Sequence, residues 1–168
     1  MDTVHSRTIC FSCRAMLPQP AREVAGQILD LARWPEFRGY GPIPGIKAAG
    51  FDRRTPEIVG TRIRVTNLDG STHVEEIVEW DPQRRVRLEM KEFSPPLSRL
   101  ATLFEETWEF DEQPGKHGRE TLVVRSFRLH AKNRGTRVLL RLIAVLLKRA
   151  IARHLRQMAA ATQPDSRR

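Results

Sequence analysis

The C-terminal segment is the part of the chain that most constrains its fold. Between residues 134 and 161 there is no proline, and the single glycine, Gly135, stands at the start. Apolar residues recur there every three or four positions, at Leu140, Ile143, Ala144, Leu147, Ile151, Leu155 and Met158. This spacing places them along one side of a helix with 3.6 residues per turn. The pattern predicts a single helix over residues 136–160, roughly 40 Å long, whose apolar side must be covered by another layer of structure.

Positive charge is concentrated in the same segment. From residue 134 onward, nine Arg and Lys residues accompany one acid, Asp165, and so account for most of the formal net charge of +9. Such a local excess is typical of a solvated helix face, of a surface that meets an anionic membrane, or of one that binds an acidic partner. Because the rest of the chain is nearly neutral, we predict no nucleic-acid partner.

At 168 residues the chain is long enough for one domain with a sizeable core. We predict a single domain over residues 1–162 and a disordered basic tail over 163–168. No run of about 20 apolar residues is present, so no membrane span is expected. The first seven residues lack the apolar region of a signal peptide, which favours the cytoplasm.

The two cysteines, Cys10 and Cys13, lie within a segment that is predicted to form a strand. Residues three apart on a strand point to opposite faces, so two unconnected thiols are expected there. No further ligands recur at metal-binding spacing, so neither a metal site nor a cofactor is predicted.

Strand-like alternation dominates the rest of the sequence. A first strand over residues 4–17 precedes a short helix that begins near Pro20, and Pro35 interrupts this helix before a second short helical turn. Further strands are predicted over residues 46–53, 61–68, 71–80, 85–93, 102–111 and 121–131. This order predicts an α+β fold in which a curved antiparallel sheet of six to seven strands wraps around the terminal helix.

The dipeptide Asp69-Gly70 is a strong signal for a hairpin with a two-residue turn. Pairing outward from that turn places three pairs on one face: Asn67 with Thr72, Val65 with Val74, and Ile63 with Glu76. This face is mostly apolar and is therefore predicted to point inward. The same register assigns His73 and Glu75 to the outer face.

Three segments resemble a known superfamily: residues 31–37 (Leu-Ala-Arg-Trp-Pro-Glu-Phe), residues 66–73 around the hairpin turn, and residues 106–110 (Glu-Thr-Trp-Glu-Phe). With the terminal helix, they resemble the helix-grip fold of the START-like, Bet v 1-like superfamily (SRPBCC). That group includes the polyketide cyclase/dehydrase and lipid-transport proteins. The resemblance covers roughly residues 4–160. It implies a deep cavity for a hydrophobic molecule between sheet and helix, and the superfamily contains both enzymes and pure binding proteins.

Inward-facing positions supply the candidate site. The expected apolar wall consists of Ile63, Val65, Val74, Val78, Leu88, Met90, Phe104, Trp108, Val123, Phe127, Ile143, Leu147 and Ile151. The polar residues expected on the same side are Asn67, Glu76, Glu106 and Arg125. Because a buried charge is costly unless it is paired, Arg125 is expected to meet Glu106, Glu76 or both. Such a pair is either a structural salt bridge or the polar end of the cavity. Of the histidines, only His154 is expected to have a view of the cavity mouth.

These observations lead to one functional hypothesis and two alternatives. The hypothesis is a carrier or sensor that binds a lipid or polyketide. The first alternative is a polyketide cyclase or dehydratase in which Glu106, Glu76 and Arg125 perform acid–base chemistry, because desolvation raises the pKa of a carboxyl group. The second alternative is an interaction module with a vestigial cavity.

The terminal helix also carries apolar residues away from its inner stripe, namely Val138, Leu139, Leu142, Val145 and Leu146, flanked by Arg141 and Lys148. They are expected either to pack beneath Leu97, Leu100 and Leu103 or the first strand, or to form an interface. Such an interface would meet a second copy of the chain or the surface of an anionic membrane.

Overall fold

A seven-stranded antiparallel sheet forms the body of the protein in the computed structural model, which describes residues 7–116 and 118–161. The strands are β1 (Thr8–Leu17), β2 (Ile46–Arg53), β3 (Arg62–Asn67), β4 (Thr72–Asp81), β5 (Arg85–Lys91), β6 (Ala101–Gly115) and β7 (Gly118–Ala131). Their spatial order is β1-β7-β6-β5-β4-β3-β2, so every neighbouring pair except β1–β7 is also consecutive in sequence. The predicted α+β fold, a curved antiparallel sheet of six to seven strands with a long C-terminal helix, is confirmed.

The terminal helix α2 spans Thr136–Ala161, as its apolar spacing predicts. It packs mainly over β1 and β7 and buries Leu140, Ile151 and Leu155 almost completely. Full burial of such a side chain stabilises a fold by about 1.5–3 kcal/mol, so this stripe holds the helix against the sheet. The Sγ of Cys13 on β1 also lies 3.4 Å from the carbonyl oxygen of Lys148.

Two short helices follow β1, as predicted. Helix α1 spans Ala21–Leu29, and the amide of Ala21 donates to Glu112 Oε2 on β6 over 2.9 Å, which satisfies one of its unpaired N–H groups. A 3-10 helix over Leu31–Glu36 comes next. It contains Pro35, which has no N–H and cannot continue an α-helical hydrogen-bond ladder.

The β3–β4 hairpin has a different register from the predicted one. Its loop contains three residues, 68–70, because Gly70 adopts a left-handed φ of 84° and the amide of Asn67 donates to the carbonyl of Ser71 over 2.8 Å. The carboxylate of Asp69 holds this turn by accepting from the backbone N–H of Ser71 at 2.9 Å. The predicted two-residue turn is therefore wrong by one residue.

One residue of slip moves the β4 side chains of residues 72–77, before the irregularity at Val78, to the other face of the sheet. Val65 now pairs with His73 and Ile63 pairs with Glu75, so His73 and Glu75 share the inner face. Val74 and Glu76 instead point to the outer face, where Val74 pairs with Arg64. The predicted inward positions of Val74 and Glu76, and the outward positions of His73 and Glu75, are wrong.

The two cysteines take opposite faces of β1, as expected. Cys10 is exposed and Cys13 is buried. Within residues 7–116 and 118–161, no helix is both long and apolar enough to cross a bilayer. The predicted basic tail, 163–168, and the predicted start of the first strand at residue 4 lie outside the described residues.

Candidate cavity between sheet and terminal helix

A cavity of about 410 Å³ lies between the concave face of the sheet and helix α2. Eleven of the residues predicted from sequence line it: Asn67, Leu88, Met90, Phe104, Glu106, Trp108, Arg125, Phe127, Ile143, Leu147 and Ile151. Trp34 and Phe37, in and just after the 3-10 helix, line it as well, as does Leu146 of α2. The wall is mostly apolar, which is typical of small-molecule sites in proteins.

Six residues of the predicted set lie outside this lining: Ile63, Val65, Val74, Glu76, Val78 and Val123. Ile63, Val65 and Val123 are fully buried as core residues. Val78 falls at an irregularity of the β4–β5 pairing, between Ile77 and Glu79. Glu76 points away from the cavity and accepts a hydrogen bond from Lys91 Nζ at 2.8 Å, which lowers the pKa of its carboxyl group.

Glu106 and Arg125 form a buried ion pair across the β6–β7 ladder, as expected from the cost of an unpaired buried charge. Arg125 Nε donates to Glu106 Oε1 over 2.6 Å, and Nη2 lies 2.5 Å from the same oxygen. Glu106 is 3% exposed and Arg125 is 6% exposed. Of the two predicted carboxylate partners of Arg125, the structure pairs it with Glu106 alone among the described residues.

Burial raises the pKa of Glu106 to about 7, even though Arg125 lowers it. The negative charge of Glu75 raises this pKa further, whereas the indole N–H of Trp108 lowers it. The indole N–H nevertheless has no partner at hydrogen-bonding geometry among the described residues. Glu106 is therefore a carboxyl group that exchanges its proton near neutral pH, which is the property required of a general acid or base.

His154 of α2 completes this polar cluster. Arg125 Nη1 donates to His154 Nδ1 over 3.1 Å. Because a guanidinium has no acceptor, Nδ1 must hold a lone pair, and the proton of the neutral imidazole lies on Nε2. Burial first, and the charges of Arg125 and Arg33 second, lower the pKa of His154 to about 3. The side chain is thus neutral, and its ring meets the edge of Phe37 with centroids 5.6 Å apart.

Aromatic rings surround the guanidinium and line much of the cavity. Arg125 Cζ lies 4.0 Å from the ring centroid of Trp108 and 5.7 Å from that of Phe127. Such contacts are worth up to about 2 kcal/mol when they are desolvated. Phe104 and Phe93 stack at a tilt, with centroids 4.9 Å apart, elsewhere in the lining. The polar cluster is therefore held rigidly at one side of an aromatic chamber.

A second polar pair, His73 and Glu75, also lies in the cavity, although the predicted hairpin register places both residues on the outer face. His73 Nε2 is 3.1 Å from Glu75 Oε1, and both side chains are largely buried. The signal that points to them is Gly70, because a glycine at the third position of a three-residue loop predicts the observed register equally well.

Three loops contribute to the lining of the cavity. Each contributes an exposed lining residue: Pro42 after the short helices, Asp69 in the β3–β4 turn, and Pro96 before β6. Leu68, beside Asp69, is 65% exposed. Among the described residues, no group of three or more His, Cys, Asp or Glu side chains is placed to hold a metal ion.

The outer side of helix α2 presents an apolar surface, here called the outer patch, made of Val138, Leu139, Leu142 and Val145. All four side chains are exposed, Leu142 by 57%. Leu97, expected to cover them, lines the cavity instead. Leu146, predicted to belong to this surface, is half-buried and also lines the cavity.

A curved antiparallel sheet that encloses a cavity against a long C-terminal helix defines a helix-grip protein. Residues 8–163 match the family described as polyketide cyclase / dehydrase and lipid transport, and the chain belongs to this family. A search of curated protein sequences gives no match.

Two solved structures are similar in fold. The crystal structure of Ara h 8.0201 has a TM-score of 0.60 at 15% sequence identity, over 89% of this chain and 99% of that one. The di-domain ARO/CYC BexL from the BE-7585A biosynthetic pathway has a TM-score of 0.65 at 19% identity, over 95% of this chain. The match spans 52% of BexL, so this chain corresponds to about half of that protein.

Proposed function

We propose that this protein binds a hydrophobic small molecule, such as a lipid or a polyketide, in the cavity between the sheet and α2. The observation that carries the proposal is the 410 Å³ space itself, bounded mostly by apolar side chains. A chain that needed only a filled core would close such a space, because protein interiors pack as densely as organic crystals. A carrier or sensor that works in the cytoplasm is the role that fits best.

Catalysis is the second candidate, and the environment of Glu106 favours it. A carboxyl group with a pKa of about 7 inside an apolar chamber can accept or donate a proton at neutral pH. Arg125 beside it would stabilise an oxyanion only if it shifted, because its Nε, Nη1 and Nη2 atoms already contact Glu106 and His154. Glu76, the other carboxylate considered for this chemistry, points away from the cavity. Simple binding therefore remains the better-supported function.

The outer patch suggests where a ligand would enter. Leu142 and Val145 are exposed, and the residues that follow them in sequence, Ile143 and Leu146, line the cavity. The exposed apolar surface is therefore continuous with the apolar lining of the cavity on the first half of α2. Arg141, Lys148 and Arg149 are exposed within four residues of Leu142 or Val145 along the helix. We propose that this surface docks on an anionic membrane, where each basic residue near the bilayer contributes about 1 kcal/mol.

A homodimer through the same surface is the less favourable alternative. A symmetric contact would place two copies of the helix against each other, and residues 134–161 contain seven basic side chains and no acidic one. Like charges would repel across such an interface unless counterions screened them. An anionic bilayer instead complements both the charge and the exposed aliphatic side chains.

Native mass spectrometry of gently purified protein tests the binding function. We expect a bound species with a mass of a few hundred daltons that is released by organic solvent and can then be identified. The matched comparison is the Ile143→Trp variant, in which an indole would occupy the cavity. A wild-type protein that carries no ligand and takes up none from a lipid extract would overturn the proposal.

A further inference from the structure

His73 and Glu75 form a polar pair on β4 that the proposed binding function does not require. Both side chains line the cavity, with exposed fractions of 14% and 8%. They are two residues apart on one strand and therefore share a face. The register places Glu75 opposite Ile63 on β3 and Met90 on β5, so its surroundings on both sides are apolar. A purely apolar ligand would gain nothing from this buried pair.

The hydrogen bond between them defines the state of the imidazole. A carboxylate only accepts, so His73 Nε2 must carry the proton that lies between it and Glu75 Oε1. In the neutral ring this leaves a lone pair on Nδ1, which has no hydrogen-bond partner among the described residues. The hydrogen bond to the carboxylate also holds the orientation of the ring.

We propose that His73 Nδ1 is the recognition site for a neutral hydroxyl donor on the cavity ligand, such as a phenol or an enol, with Glu75 as its positioning residue. This proposal rests on the proposed binding function and narrows its ligand class. An anionic head group would be repelled by Glu75, whereas a hydroxyl donates directly to the lone pair. The aromatic lining suits a planar ring that bears this hydroxyl, because the ring of Phe93 contacts His73 and in turn packs against the ring of Phe104.

The second polar cluster, around Glu106, lies two strands away from this pair. β5 separates β4 from β6, so the two clusters are roughly 10 Å apart along the sheet. Glu75 nevertheless acts on Glu106 through its charge. A ligand held by His73 at its hydroxyl would extend its body toward Glu106, past the cavity-lining residues Met90 and Leu88 of β5.

The test compares two probes that differ in a single donor. 2-Naphthol carries a phenolic hydroxyl, and 2-methoxynaphthalene has the same ring system without the donor. We define the donor preference as the Kd of 2-methoxynaphthalene divided by the Kd of 2-naphthol, measured by calorimetry at pH 8. One net hydrogen bond is worth about 1 kcal/mol, so the preference should fall roughly fivefold in His73→Phe and by a smaller factor in Glu75→Gln.

Glu76→Gln is the matched control, because Glu76 is the next residue on β4 and points to the opposite face. Its donor preference should equal that of the wild type. An unchanged preference in a folded His73→Phe protein would overturn the proposal while leaving the proposed function intact. Failure of the wild type to bind either probe would also overturn the proposal for His73, whereas native mass spectrometry decides the binding function separately.

Nitrogen NMR of the wild-type protein gives a readout that needs no variant. The His73 Nδ1 resonance should move when 2-naphthol is added and remain in place with 2-methoxynaphthalene. A resonance that responds equally to both probes, or to neither, would overturn the assignment even if His73→Phe fails to fold.

Discussion

Arg125 on β7 donates a hydrogen bond to His154 on α2, with 3.1 Å between Nη1 and Nδ1. The same guanidinium holds Glu106 on β6 from its other side. One arginine therefore links two strands and the terminal helix through polar contacts inside an otherwise apolar chamber. Because all three groups are largely buried, a change in any one of them affects the charge balance of the other two.

Replacement of Arg125 by Met should destabilise the protein by about 3 kcal/mol at pH 8, because it leaves Glu106 buried without its cation. Urea denaturation measures this free energy. Arg128→Met is the matched control, since Arg128 lies on the same strand with a side chain that is 57% exposed. A loss below about 1 kcal/mol in Arg125→Met would mean that the pair contributes little to stability.

Stability should depend on pH through Glu106. Its folded pKa of about 7 lies above the ordinary value of 4.5, so the folded state binds more protons than the unfolded state between these values. Its contribution is therefore fully present below pH 4.5 and is lost as pH rises through 7. Relative to Glu106→Gln, the wild type should lose about 2 kcal/mol of unfolding free energy between pH 5 and pH 7. A difference that stays constant with pH would contradict the raised pKa.

Titration of His154 should change the stability of the protein with pH in the direction opposite to that of Glu106. Its folded pKa of about 3 lies below the ordinary value of 6.5, so its contribution is present above 6.5 and is lost as pH falls toward 3. In the wild type this loss offsets the gain from Glu106 between pH 5 and pH 7. His154→Phe removes the offset, and its stability relative to wild type should rise by about 2 kcal/mol from pH 7 to pH 5. Parallel pH profiles for the two proteins would show that His154 is not buried as neutral imidazole.

A bulky side chain in the cavity should block ligand binding. Ile143→Trp introduces an indole at a half-buried, cavity-lining position of α2, and binding of an apolar fluorescent probe should fall at least tenfold. Leu142→Trp is the control, because it adds the same group one residue away on the exposed side of the helix. Equal probe binding by the two variants, both with native circular dichroism, would place the probe outside the cavity.

Membrane docking through the outer patch should require both apolar side chains and anionic lipid. The wild type should co-sediment with vesicles that contain phosphatidylglycerol and remain in solution with phosphatidylcholine alone, and added salt should weaken binding. Leu142→Asp should abolish co-sedimentation because it places a carboxylate in the apolar patch. Light scattering without lipid distinguishes the alternative: a dimer mass that Leu142→Asp reduces to a monomer would assign the outer patch to self-association.

Much of the fold follows from local patterns that the sequence carries by itself. The 3.6-residue period of α2 and the alternation in β5, β6 and β7 depend on residues that are close in the chain, and both predict the observed elements. Pairing of Glu106 with Arg125 also follows, because alternation puts both on the inner face and a buried charge needs a partner. The family resemblance extends this to the helix-grip architecture.

Only the tertiary structure decided which face of β4 lines the cavity. The stretch Val74-Glu75-Glu76-Ile77 does not alternate between apolar and polar residues, so its pattern does not indicate which face of the strand points inward. The turn at Gly70 contains one residue more than predicted. Glu75 and His73 therefore point into the cavity, and Glu76 points to the outer face. Packing likewise decided that Leu146 lines the cavity while Leu142 stays exposed, because a helix that is apolar on several sides can rest on any of them. The physical reason is the same in both cases: when local preferences are balanced, long-range contacts choose between them.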